Sequence, residues 1–363
     1  MLSIARVLFS KNIPFCLYRF PNEQHFRLAI DIMYIDKNQN RKTFWFAPFY
    51  SVSDNEDIFL SVIDEHELSE SFIQYIQDLP EQKPIEVGLP DETAKEQYFR
   101  QIEAFLSEIK SGRLDKAVLS RVLYQEKPLD FNAVDFFLTL AAAYTNTFVH
   151  LSQHPKSGIW VGATPELLVK KSSKEMYIMA LAGTQARQSA GTKYTWRPKE
   201  LEEHLMVNKH IEQVLEKYNY SILTKDELHT VESASVAHLR TDFVFKENQT
   251  IDLKSLLKEL HPTPSVGGLP VKNGIECILK HEGYNRSYYC GFLGETDFEN
   301  TANLYINLRC LQVGKNHLAI YVGGGITAAS NPDEEWEETI LKSKTMTEKI
   351  QPEIIKSTHG IVR

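Results

Sequence analysis

No apolar run in the sequence approaches the roughly 20 residues that a membrane span requires, so a transmembrane helix is not expected. Long lysine or arginine runs are missing too. With 40 basic against 48 acidic residues, the formal net charge is −8 and the pI near 5.9, which argues against a nucleic-acid surface. Cysteine is scarce. Cys16, Cys277, Cys290 and Cys310 lie far apart, form no C-x-x-C and no zinc spacing, and read as reduced thiols in a cytoplasmic protein. The opening MLSIARVLFSKNIPF is interrupted by Arg6 and Lys11 and has no small-residue cleavage site, so a secretory leader is not expected. There is no internal repeat or low-complexity linker. What is present, 363 residues with 42% hydrophobic content, suffices for one large core or two smaller ones.

Residues 1–90 alternate short apolar runs (FRLAIDIMYI, KTFWFAPFY) with polar turns and predict antiparallel strands without a catalytic group. Over 91–109, Phe99, Ile102, Phe105 and Ile109 recur at helical spacing. A strand over 114–125 follows the Ser111-Gly112 turn. A buried helix over 131–144 comes next, then strands near 148–152, 159–161, 167–171 and 177–182, the last closing on Gly183. Residues 195–218 predict the clearest helix, with Pro198 in its first turn and an apolar stripe of Leu201, Leu205, Val214, Leu215 and Tyr218. Further helices are predicted over 253–260 and 271–281, and strands over 302–313 and 317–322. Strands are too numerous and helices too interspersed for a βαβ rhythm, so the class is mixed α+β.

The segment AIYVGGGITAASNPDEEWEETILKSK (319–344) reads as strand, glycine turn, loop and helix. Ser330 or Asn331 can cap the helix, Pro332 suits its first position, and Asp333, Glu334 and Glu335 suit the positive end of its dipole. Glu335, Glu338 and Lys342 share one face, while Trp336, Thr339 and Ile340 face another way and pack inward. Taken alone, this is a solvated acidic face. The glycines formally match G-x-G-x-x-A, but the helix begins only near Pro332 and no acid ending a second strand follows, so dinucleotide binding is not expected. Glycines here instead allow backbone amides to approach an anion. His204 and His210 are six apart, which excludes an H-E-x-x-H zinc face. Glu200 and Glu203, however, repeat the i, i+3 spacing of Glu335 and Glu338. Two such pairs on facing helices supply oxygen ligands or water acceptors for one Mg2+. Singly, Lys116 reads as a solvent-facing strand lysine and Glu166 as an acid heading a strand. Arg309, inside YINLRCLQV, calls for a buried carboxylate partner or an anionic ligand.

Eight motifs follow in order: LDKAVLSR (114–121), GATPELLVK (162–170), LAGTQAR (181–187), ELEEHLMV (200–207), LHPTPSVGGLP (260–270), INLRC (306–310), VGGGI (322–326) and NPDEEWEETILKSKTM (331–346). Together they resemble the chorismate-utilising enzymes, most closely their isochorismate-forming branch, over roughly residues 95–348. The resemblance implies a sandwich of two stacked, largely antiparallel sheets with flanking helices and the site deep between them. It implies a single domain over residues 1–363, with a variable strand-rich part (1–90) and a motif-bearing part (91–350). Carried over by position, it makes Lys116 the general base, Glu166 the general acid, and Glu203 and Glu338 direct Mg2+ ligands, with Glu200 and Glu335 holding the metal's waters. Arg309, Gly323, Gly324, Gly325 and Lys342 match positions that hold substrate carboxylates, and Gly183, Thr184, His238 and Ser265 match further lining positions.

The implied reaction is isomerisation of chorismate to isochorismate, feeding menaquinone or a catecholate siderophore. Lys116 must be neutral to activate water for attack at C2, which desolvation favours, and Glu166 must be protonated, its pKa raised, to release the C4 hydroxyl. Chorismate is a dianion, so a divalent cation is expected to reverse the sign of four clustered glutamates. Ammonia-adding relatives are disfavoured: Lys116 goes with water as nucleophile, Ala182 stands where the aminodeoxychorismate enzyme has a nucleophilic lysine, and neither a glutaminase domain nor such a subunit is expected. Ser265 stands where isochorismate-forming members commonly have alanine and pyruvate-eliminating ones threonine, so a salicylate synthase stays open. A non-catalytic chorismate-binding subunit stays open as well. A cytoplasmic monomer is expected.

Overall fold

The computed structural model describes residues 1–34, 42–51, 54–189, 192–233, 236–246 and 252–350. The first ninety residues open with a helix that strand alternation does not announce, α1 (Leu2–Ser10). The predicted strands follow as β1 (Phe15–Arg19), β2 (Arg27–Ile30), β3 (Thr43–Ala47) and β4 (Ile58–Ile63), then a second unannounced helix, α2 (Glu70–Asp78). α3 (Lys95–Lys110), β5 (Lys116–Glu126) and α4 (Ala133–Ala143) lie where spacing predicts them. So do β6 (Phe148–His154), β7 (Gly158–Thr164), β8 (Leu167–Lys171), β9 (Glu175–Ala186) and α5 (Pro198–Lys217). Three strands without a clear sequence signal come next: β10 (Ile222–Lys225), β11 (His229–Ser233) and β12 (Val236–Lys246). The chain continues through α6 (Leu253–Leu260), β13 (Gly268–Leu269), α7 (Val271–His281), β14 (Phe292–Thr296) and β15 (Ala302–Ile306). It ends with β16 (Cys310–Val313), β17 (His317–Thr327) and α8 (Pro332–Ile350).

Every strand pairing among the described residues is antiparallel, and the order is β13-β5-β17-β16-β7-β6-β1-β2-β4-β3-β14-β15-β8-β9-β12-β11, with β10 also on β12. This network turns back on itself. Tyr18 of β1 meets Phe44 of β3 at 4.7 Å between ring centroids, and Phe148 of β6 stacks on Tyr305 of β15 at 4.6 Å. The two stacked sheets expected from the sequence are therefore the two arms of one α+β network. Side chains alternate along each strand. Cys16, Tyr18, Phe148 and Trp160 point into the core between the arms, while Phe15, Leu17, Val149, Leu151 and Val161 point outward under α1, α4 and α8. Fully burying one such side chain is worth roughly 1.5–3 kcal/mol, so the sandwich fixes where the segments at its edge can go. Among the described residues, no helix is long and apolar enough to cross a membrane.

Three expectations are corrected. First, Leu201 and Leu205 are 40% and 51% exposed; the face α5 buries carries Glu200, His204, Val207, Asn208, Ile211, Val214 and Leu215. His204 and Asn208 turn inward because both reach the Thr241 hydroxyl of β12 (2.9 and 3.5 Å). Second, the strand predicted over 302–313 breaks between β15 and β16, where Arg309 takes a φ of +49°. Buried Asn307 fixes that break: its Nδ2 donates to Tyr288 O (2.9 Å) and its Oδ1 lies 3.0 Å from His150 Nε2. Third, Gly323–Gly325 are not a turn but the continuation of β17, paired with β5 as far as Thr327. β16 stops pairing with β17 at Tyr321, so among the described residues that edge of the glycine stretch has no partner strand.

Candidate active site

Lys116 begins β5 and lies between Thr327 of β17 and Leu269 of β13 in the ladder. A residue flanked by strands on both sides and covered on its face has no route to solvent. The solvent-facing reading is thus corrected: the Lys116 side chain is fully buried, with Nζ 2.8 Å from Glu203 Oε1. Glu166 heads β8 after Pro165. Its N–H lies 3.3 Å from Thr164 Oγ1, and its carbonyl accepts from Ile306 N–H across the arm (2.9 Å). Burial pushes the Glu166 carboxyl up to about 7, against the pull of Lys116, Arg309 and Lys342. The charges of all three are thus felt at this one carboxyl.

A bulge prepares the next wall. In the β9–β12 ladder His238 pairs with Thr184 and Leu239 with Ala182, leaving Gly183 as the extra residue with φ +70°. A side chain there would be strained, and its Cβ would lie 3.1 Å from Glu200 Cβ. The Gly183 carbonyl, turned by the bulge, lies 2.9 Å from His238 Nδ1. A carbonyl only accepts, so Nδ1 carries the proton and Nε2 accepts from Arg309 Nη2 at 3.1 Å. Burial first, and then Arg309, push His238 down to about 3, which keeps the ring neutral. Arg309 Nη1 is buried and has no hydrogen-bond partner among the described residues, a donor left for something else. Thr184 Oγ1 is 3.3 Å from His238 Nδ1, and Ser265 Oγ donates to Leu181 O (2.9 Å) rather than into the chamber.

The carboxylates come from α5 and α8. Pro198 starts α5, and Glu200 turns back to accept from Arg197 N–H (3.1 Å). Asn331, not Ser330, caps α8, accepting from Asp333 N–H (3.0 Å) and Glu334 N–H (3.3 Å). Glu203, Glu338, Lys342 and Gly323–Gly325 line one chamber with Glu166, Gly183, Thr184, His238, Ser265 and Arg309. Glu200 lies outside it, in the adjoining groove between α5 and α8. Glycines are needed beneath the acids. A Cβ on Gly324 would lie 3.2 Å from Glu335 Oε2 and 3.3 Å from Glu338 Oε1, and one on Gly325 would lie 2.7 Å from Glu203 Oε1.

The four glutamates do not stand bare. Each glutamate holds its own cation: Arg197 with Glu200 (2.7 Å), Lys116 with Glu203 (2.8 Å), Lys342 with Glu338 (2.7 Å), and Lys199 with Glu335. Lys342 also donates to Gly323 O (2.8 Å). Burial would raise the Glu203 carboxyl, but Lys116, Lys342 and Lys199 hold it below the usual carboxylate range. Burial and the neighbouring Glu338 raise Glu335. In this ion-paired arrangement no group of three or more acidic, histidine or cysteine side chains stands ready around an ion among the described residues. The donor chemistry nonetheless fits a hard cation. The set is all oxygen, Glu335 Oε2 and Glu338 Oε1 approach one point over Gly324 with Glu203 Oε1 over the adjoining Gly325, and Glu335 Oε2 is buried without a partner among the described residues. Lys199, Arg197 and Asn307 were not singled out by the sequence. Lys199 and Arg197 flank the Glu200 motif, but their partners on α8 are more than a hundred residues away in the chain.

The sequence pattern described as "Chorismate binding enzyme" matches residues 21–351. The chain belongs to the chorismate binding enzyme family. Within it, the chain is 28% identical over 269 residues to isochorismate synthase EntC of Escherichia coli K12, covering 71% of this chain and 67% of that one. The solved structure of MenF, the menaquinone-specific isochorismate synthase of Escherichia coli, covers 93% of this chain and 89% of its own, with a TM-score of 0.75 at 20% identity. Anthranilate synthase component I of Streptococcus pneumoniae superposes over 92% of this chain and 89% of its own, with a TM-score of 0.65 at 17% identity. At such identities a superposition carries the fold alone, and the fold is shared by family members with different products.

Proposed function

We propose that this chain is an isochorismate synthase, a single-domain enzyme that converts chorismate to isochorismate with Mg2+. The observation that carries the reading is a pair of opposite chemistries at one chamber: a carboxyl at Glu166, in its lining, raised to about 7, and a buried amine at Lys116, held against Glu203 of the same lining. An enzyme that adds water on one face and expels hydroxide from the other needs one base and one acid whose environments differ in this way. Lys116, once deprotonated and released from Glu203, takes a proton from water as its oxygen bonds to C2. The ring double bonds shift, the C4–O bond breaks, and Glu166 gives its proton to the departing hydroxyl, which leaves as water. Arg309 Nη1, Lys342 and the Gly323–Gly325 backbone hold substrate carboxylates, with Gly183, Thr184, His238 and Ser265 shaping the wall. Mg2+, with Glu203 and Glu338 as ligands and Glu200 and Glu335 toward its waters, would supply the positive charge that a dianion needs.

The engaged Ser265 hydroxyl supports release of isochorismate without pyruvate elimination. Relatives named for siderophore and for menaquinone pathways both resemble the chain, and either pathway suits the product. Four buried, unpaired cysteines support a reducing cytoplasm, and we take the enzyme to act as a monomer without a glutaminase subunit. Incubation of the pure protein with chorismate and Mg2+ tests the reading: isochorismate should form without stoichiometric pyruvate. Salicylate with pyruvate would make it a salicylate synthase, and binding without turnover would make it a silent subunit.

A further inference from the structure

Lys199 follows Pro198 at the start of α5, yet its ammonium crosses to α8 and pairs with Glu335 Oε1. The pair is well covered, with 15% of the Lys199 side chain and 1% of the Glu335 side chain exposed. One cation of α5 is thus held by one carboxylate of α8. The second oxygen of its partner, Glu335 Oε2, is buried without a hydrogen bond among the described residues and approaches the same point over Gly324 as Glu338 Oε1.

We propose that Lys199 is an internal counter-ion that occupies the carboxylate cluster of the metal-free protein and competes with the divalent metal for it. This rests on the metal reading above. Buried carboxylates left without a positive partner are costly, so Lys199 keeps the cluster folded when no metal is present. For the same reason, Lys199 must leave Glu335 before that carboxylate can turn toward a metal or its waters. Metal uptake and Lys199 release are then a single exchange. A strap that merely oriented Glu335 predicts the opposite outcome, because losing it would weaken metal binding.

The test measures Mn2+ binding by electron paramagnetic resonance, without substrate, in the wild-type protein, K199M, K199Q and K199R, with melting curves for each. K199M and K199Q should bind Mn2+ about tenfold more tightly, melt at lower temperature without metal, and gain more from Mn2+ than the wild type, while K199R stays close to it. Equal or weaker Mn2+ binding by a folded K199M or K199Q overturns the inference alone. Absence of Mn2+ binding by wild type and variants overturns the metal reading and this inference with it.

Discussion

Two buried ion pairs touch β5, and they are built differently. Glu282 and Arg286, with side chains 0% and 1% exposed, are saturated. Arg286 donates to both Glu282 oxygens (2.6 and 2.5 Å), to Val266 O (2.8 Å) and to Val118 O (2.6 Å), and its guanidinium lies 4.5 Å from the Phe49 ring centroid. Glu282 Oε2 also accepts from Ser120 N–H at 2.8 Å. Lys116 and Glu203 share one 2.8 Å contact, and the chamber beside them holds a guanidinium nitrogen without a partner among the described residues and a carboxyl raised to about 7. Once every nitrogen and oxygen of a buried pair has a partner, the pair can only hold structure. Capacity left unfilled next to a cavity is where a ligand can be held and a proton moved.

The contrast can be broken by exchanging the roles. K116M should lower kcat by about 10^3-fold or more, the upper part of the range for a lost general base, while circular dichroism shows the protein still folded. R286M should do the reverse, costing about 3–5 kcal/mol of stability in urea titrations because Glu282 is left as an unpaired buried charge. If R286M stays as stable as the wild type, the distinction between the two pairs fails. E166Q should lower kcat by about 10^2-fold and also change the pH profile. Glu166 acts protonated, so turnover should fall as pH rises through about 7, and the variant should lose that alkaline limb. The smallest effect belongs to His238, which acts through Arg309. H238A should raise KM about tenfold with a smaller change in kcat, the loss expected for one charged hydrogen bond. With His238 down at about 3, no histidine-dependent limb should appear between pH 5 and 8.

The sequence made most of the fold legible wherever local periodicity decides the outcome. Helices α6 and α7 fall on their predicted bounds, and Asn331 and Pro332 mark the start of α8. It failed where a distant partner decides. YINLRCLQV reads as one apolar strand because the break depends on Asn307 reaching Tyr288 and His150. β10 has all four residues exposed, so it lacks the alternation that a covered strand would show. On α5 the buried face is polar in its first half, where Glu200, His204 and Asn208 face inward against the usual pattern, and Leu201 and Leu205 mislead for that reason. In the candidate site, the paired glutamate spacings and the lone arginine were readable. The burial of Lys116 was not, because it depends on β17 and β13 closing over β5. Nor were the counter-ions, since Lys199 and Glu335 meet only across the tertiary fold.

The helices carrying the acids belong mainly to opposite arms of the network: α5 packs on β9 and β12, and α8 chiefly on β17, touching β9 as well. Arg197 to Glu334 (3.0 Å), Lys199 to Glu335 and Lys116 to Glu203 cross the seam between them. Whatever seats itself across that seam becomes a clasp between the arms, so its binding energy is felt as cohesion of the whole sandwich. With the clasp undone, the exposed part of the closure is left to charges that dissolved salt can shield.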